Sequence, residues 1–173
     1  MAAQTLCDIL DIKYPIIMAP MFLVSNEEMV IAASKAGITG AIPALNWRTI
    51  ELLREGIAKI RKESTGPFGI NLIVNKSNIK YREQLDAITE MGVDYIITSL
   101  GSPKETIEKA RPKGIKVFCD VTNFEYAKKV EALGADALIA VNREAGGHAG
   151  KIPARELVPQ LVSACNIPVI SAG

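Results

Sequence analysis

The chain has 173 residues, of which 49% are apolar and 23% charged, with a formal net charge of +1. That length suits one domain with a substantial core, and the scattered lysines and arginines exclude the basic stripe of a nucleic-acid binder. The longest apolar runs fall far short of the roughly 20 residues of a membrane span, and the opening "MAAQTLCDILDIKYP" lacks a secretory apolar core, so a cytoplasmic protein is expected.

Short apolar, β-branched runs recur along the chain: "PIIMAP" (15–20), "TGAIPA" (39–44), "FGINLIV" (68–74), "DYIITS" (94–99), "IKVFCDV" (115–121), "DALIAV" (136–141) and "IPVISA" (167–172). None alternates between apolar and polar, which suits strands buried on both faces of a parallel sheet. Segments of helical spacing lie between them. In "SNEEMVIAASKAG", Ser25 or Asn26 can cap the helix, Met29, Ala32, Ala33 and Ala36 are placed on one face, and Gly37 stands where a left-handed terminus is wanted. "EQLDAITEMGVD", "ETIEKARPKGIK" and "YAKKVEALGADA" repeat the arrangement, each with a glycine about two residues before the next strand.

About seven strand–helix units leave a doubly wound sheet or a (β/α)8 barrel, and the repeat count favours the barrel. No GxGxxG follows the first strand, which weakens the dinucleotide-binding alternative. The chain stops just after its seventh strand, so the expected fold is a (β/α)8 TIM-type barrel, incomplete at the C-terminus, with residues 1–173 as one domain. Polar and glycine-rich residues gather after the strands, at Pro20-Met21, Asn71, Ser99, Asp120, Asn142 to Gly150 and Ser171 to Gly173. Ligands of either architecture bind at those C-terminal strand ends.

The segment "AVNREAGGHAGK" contains the sole histidine, His148. Small neighbours let a ligand approach the backbone, and an imidazole in such a loop can give or take a proton near neutral pH. Glu144 can orient the loop or cap the next helix, and Arg143 and Lys151 are read as solvated. "IPVISAG" ends a strand in Ser171, Ala172 and Gly173, a composition suited to phosphate. Asn71 carries both donor and acceptor for a ring imide or ribityl hydroxyl, or else forms a turn. Met21 lies against a flat ring or closes the mouth. Trp47 covers the site or sits on its rim. Cys7, Cys119 and Cys165 fit no disulfide or zinc pattern, and Cys119 reads as a buried structural thiol.

Four stretches, "YPIIMAPM", "FGINL", "GADALIA..REAGGHAGK" and "IPVISAG", resemble in this order the nitronate monooxygenase family, formerly 2-nitropropane dioxygenases. The related flavin-dependent enoyl-acyl carrier protein reductases share these loops. The resemblance implies a barrel that holds FMN noncovalently, with contacts from Ala19, Pro20, Met21, Asn71, Glu144, Ala145, Gly146, Gly147, Ser171, Ala172 and Gly173. It implies that His148 is the base that removes the proton beside the nitro group, with oxidation completed through FMN and dioxygen. "APM" after the first strand favours this branch, because the reductases, which use NAD(P)H, more often show "GGM". The family often has "QG" where this chain has Val141-Asn142, so a flavin contact is expected to be lost or taken over by backbone. Family members also continue into an eighth strand with a "GT" phosphate loop. A fragment is therefore expected, with an exposed sheet edge and weak FMN binding on its own, and a noncatalytic or partner-binding half barrel is the third reading. The small-molecule substrate would be a nitronate or an enoyl thioester, and a homodimer is an open expectation.

Overall fold

The apolar runs do form seven parallel strands, and the computed structural model describes residues 4–173. In chain order they are β1 (Ile17–Met18), β2 (Thr39–Pro43), β3 (Phe68–Ile73), β4 (Tyr95–Ser99), β5 (Lys116–Val121), β6 (Ala137–Val141) and β7 (Val169–Ala172). Each pairs in parallel with the next, giving the sheet order β1-β2-β3-β4-β5-β6-β7. A doubly wound sheet would reverse direction at a switch point, so this unbroken order is that of a barrel. Seven of the eight units of a (β/α)8 barrel are present among the described residues.

Helices join the strands: α1 (Leu6–Leu10), α2 (Glu27–Lys35), α3 (Ile50–Glu63), α4 (Tyr81–Met91), α5 (Lys104–Ala110), α6 (Phe124–Leu133) and α7 (Ala154–Ala164). Side-chain oxygens of Thr5, Asn26, Thr49 and Asn123 cap α1, α2, α3 and α6. Left-handed glycines Gly92 and Gly134 end α4 and α6, as their positions predict, and free the chain to turn into the next strand. The buried face of α2 differs from the expected one. Val30, Ile31 and Ala33 are buried, whereas Ala32 and Ala36 are exposed. Residues 29–33 are all apolar, so the sequence leaves the helix phase undetermined. Contact with β2 sets it, because a Cβ on Gly40 would come within 3.3 Å of Val30.

The pleat sorts each strand into two layers. Phe68, Ile70, Leu72, Ile96, Val117, Cys119, Leu138 and Ala140 face outward and form the main core with the helices. The other face curls around a second core of Ala41, Tyr95, Ile97, Phe118, Ala137 and Ile139, joined by Leu6 and Leu10 of α1. α1 precedes β1, so it closes the N-terminal end of this interior. Tyr95 and Phe118 stack at 4.9 Å, and the Tyr95 hydroxyl lies 3.1 Å from both Thr39 Oγ1 and the Gly40 carbonyl. Gly69 makes room for the tyrosine ring, since a Cβ there would fall 2.2 Å from Tyr95 Cε2.

Trp47 is half-buried and lines the rim cleft beside the loop after β3, together with Leu45 and Ile73. Its indole N–H donates to Glu27 Oε1 at 2.9 Å and its ring packs over Gly56, where a Cβ would meet it at 2.5 Å. Cys119 is buried beside Thr98, and burial pushes its thiol up to about 12, so the expected inert structural thiol is what the structure shows.

Gly69→Ala tests the interior packing. It overfills the close contact with the Tyr95 ring and should destabilise the fold by about 1–3 kcal/mol, read as a lowered denaturation midpoint. Unchanged stability would mean that the ring and strand yield freely.

Candidate functional site at the C-terminal ends of the strands

Because all strands run the same way, their C-terminal ends and the loops that follow share one face. The first of these loops carries Ala19, Pro20 and Met21. Buried Ser25 braces it by accepting from the Met21 N–H at 2.7 Å and donating to the Ala19 carbonyl at 3.3 Å. Asn46, from the loop after β2, donates to the Met21 and Ser25 carbonyls and accepts from the Leu23 N–H at 2.9 Å. Leu23 adopts a left-handed backbone at φ 58 and exposes its side chain. Asn46 and Ser25 thus hold the loop's shape. Sequence reading considered Ser25 only as a helix cap and missed Asn46.

Asn142 organises the glycine-rich loop after β6. It is fully buried, its Oδ1 accepts from the Glu144 N–H at 2.9 Å, and its carbonyl accepts from the Ala145 and Gly150 N–H groups. Its own N–H donates to the Ala172 carbonyl, and its Nδ2 lies 3.4 Å from Ser171 Oγ, so one side chain ties this loop to β7. Gly173 completes the junction: at φ +129, a Cβ there would fall 2.1 Å from Asn142 Oδ1. The family resemblance leads to the expectation that a flavin contact here is lost or taken over by backbone, and the residue present is the loop's anchor.

The other loop residues divide by role. The Glu144 carboxylate accepts from the Ala154 N–H at 2.9 Å and so serves the N-terminus of α7, which holds it below the usual carboxylate range. Ala145 is half-buried. Gly146 and Gly147 have nothing within 4 Å of the place a Cβ would occupy, so their backbone is open to an approaching molecule. His148 follows them, exposed on the same face as the strand ends. Arg143 and Lys151 are exposed, as expected. Two neighbouring clefts of about 340 and 460 Å³ flank the loop after β3, where Ile79 is exposed, and His148 lies in neither.

Inside the mouth, the inward faces of β3, β4 and β5 bring Asn71, Ser99 and Asp120 together. Asn71 Nδ2 donates to Ser99 Oγ at 2.7 Å, and Ser99 Oγ donates to Asp120 Oδ2. Burial pushes the Asp120 carboxyl up to about 6, and the Ser99 hydrogen bond draws it partly back. Among the described residues no ion pair reaches Asp120 and no group of three or more metal-ligating side chains occurs.

A raised carboxyl pKa means that the folded state resists ionisation. Its stability contribution is complete below about pH 4 and is lost as pH rises through about 6. Asp120→Asn should therefore stabilise the protein by about 2 kcal/mol at about pH 8, with the gain vanishing near pH 4. Paired denaturation curves at the two pH values check this, and a pH-independent difference would contradict it.

Comparison with known proteins matches this geometry. The nitronate monooxygenase family model covers residues 3–81 and 76–173 in two overlapping segments. A probable nitronate monooxygenase of Staphylococcus saprophyticus is 29% identical over 210 residues, covering 95% of this chain and 59% of that protein. A (3aS,4S,5R,7aS)-5-hydroxy-7a-methyl-1-oxo-octahydro-1H-indene-4-carboxyl-CoA dehydrogenase of Rhodococcus jostii is 29% identical over 168 residues, 97% of this chain and 47% of that protein. Among solved structures, FabK (M276A) from Thermotoga maritima superimposes with a TM-score of 0.90 at 31% identity, covering all of this chain and 57% of that one. Nitroalkane oxidase from Streptomyces ansochromogenes gives a TM-score of 0.86 at 26% identity, covering 96% of this chain and 59% of that one. The chain thus spans about half the length of the relatives it matches. The match runs through every strand and the mouth loops described above, and the chain belongs to the nitronate monooxygenase family.

Proposed function

We propose that the protein is an FMN-dependent oxidoreductase that oxidises alkyl nitronates or nitroalkanes with dioxygen, with His148 as the base. One observation carries this reading: the sole imidazole of the chain stands on the strand-end face, directly after two glycines with uncovered backbone. The residues present fit a flat, hydrogen-bonding cofactor. Gly146 and Gly147 leave room for close approach, and the side chain of Asn71 lies inside the mouth. Ala19, Pro20 and Met21 would border the ring from the first loop, held in shape by Ser25 and Asn46. Glu144 and Ala145 would contribute through backbone, since the Glu144 carboxylate serves α7. Ser171, Ala172 and Gly173 would meet the phosphate end.

When bound, FMN would supply the electron acceptance that none of the twenty side chains provides. The work of the chain itself is positional and protolytic. His148, with its ring exposed, takes the proton from the carbon beside the nitro group, and the braced loops hold the substrate carbon within its reach.

A second reading, reduction of an enoyl thioester with NAD(P)H, draws support from the carboxyl-CoA dehydrogenase relative, named as an oxidoreductase of a coenzyme A thioester. The two readings differ in anaerobic behaviour. Rapid bleaching of the flavin by NADPH favours the reductase, and no bleaching favours nitronate oxidation. A colourless full-length protein that takes up no FMN would favour the noncatalytic reading.

The role of His148 is tested by His148→Ala. The variant should keep FMN and lose activity on neutral nitroalkane by about 10²- to 10⁴-fold, while activity on preformed nitronate, which needs no deprotonation, falls far less. An equal loss on both substrates would remove the base role.

A further inference from the structure

The Asn71–Ser99–Asp120 chain has a fixed direction. Asn71 Nδ2 lies 3.3 Å from the Ile97 carbonyl, which can only accept, so the nitrogen and not the oxygen of the amide must face it. The same nitrogen donates to Ser99 Oγ at 2.7 Å. The Ser99 hydroxyl, already an acceptor, turns its proton to Asp120 Oδ2. The remaining amide atom, Asn71 Oδ1, has no partner among the described residues. No buried side-chain nitrogen or oxygen there lacks one, so Oδ1 must reach accessible space at the mouth.

We propose that Asp120 is a positioning residue: acting through Ser99, its carboxylate holds the Asn71 amide so that Oδ1 is presented to the barrel mouth as the acceptor for a ligand N–H or O–H. The proposal rests on the reading of the mouth as the ligand site. Sequence reading picked out all three residues as polar groups at strand ends, without linking them. The pleat puts them on one face, and the parallel order brings their strands side by side.

The surroundings make the carboxyl the natural controller of the chain. Ser99 faces it from β4, and burial is what raises its pKa, with no charged partner contributing. The titratable groups that sense it are the Tyr126 phenol of α6 and the Cys119 thiol of β5. Burial raises both, so neither changes charge near neutral pH. Ionised, Asp120 can only accept, and every donor in the chain then points toward it. Protonated, it can itself donate to Ser99, and that constraint is lifted.

The test reads the amide directly. In the full-length protein, the Asn71 side-chain amide resonances should show a pH step with a midpoint at about 6. The step should persist in His148→Ala and disappear in Asp120→Asn and Ser99→Ala. At about pH 8, the last two variants should bind FMN about 3- to 10-fold more weakly by fluorescence quenching, with Asp120→Asn melting no lower than the parent. Absence of the step in the parent, or its survival in Ser99→Ala, overturns the proposal. So does unchanged FMN affinity in both variants when the parent binds FMN. If no form binds FMN while the pattern of steps holds, the flavin reading fails and the positioning role of Asp120 stands.

Discussion

The stacked pair of Tyr95 and Phe118 is the interaction on which the architecture depends. It fills the barrel interior near the N-terminal ends of the strands, under Leu6 and Leu10 of α1, and needs Gly69 to leave it space. With the interior plugged by these rings and by Ile97, the inward positions nearer the C-terminal ends carry Asn71, Ser99 and Asp120 instead. One end of the barrel is thereby a core and the other a polar mouth. This division separates stability from function along a single axis, as parallel barrels do generally.

The mouth is shaped more by asparagine than by glycine. Asn46 braces the first loop, Asn142 anchors the glycine-rich loop to β7, and Asn71 is held at two points inside the barrel. Asn46 and Asn142 use donor and acceptor together, which fixes loop backbone that has no regular ladder to rely on, whereas Asn71 is held through its Nδ2 alone. Gly146 and Gly147 then leave the backbone of the loop bare. Glu144, two residues before the loop glycines, is spent on the helix that follows, so the orientation of α7 and that of the His148 loop are tied to one carboxylate.

Much of this was legible in the sequence because it is written in local terms. The seven apolar runs, the capping side chains and the left-handed glycines after α4 and α6 each signal their structure within a few residues. The phase of α2 was not legible, because Met29 to Ala33 offer an apolar residue at every position and only contact with Gly40 chooses among them. The anchoring role of Asn142 was not legible for a related reason. Its burial depends on β7, which lies 27 residues further on, and no short window holds both. Asn71, Ser99 and Asp120 stood out as strand-end polar residues, but their union requires the parallel order of three strands.

The central claim is that the strand-end mouth, between the first loop and the loop of His148, is a flavin site. A crystal structure of the full-length protein with FMN tests it most directly. The account predicts an isoalloxazine ring over the C-terminal ends of the strands, against Gly146 and Gly147 and within hydrogen-bond reach of Asn71 Oδ1. A ring bound at the α1 end, among the outer helices, or out of reach of the His148 loop would contradict it.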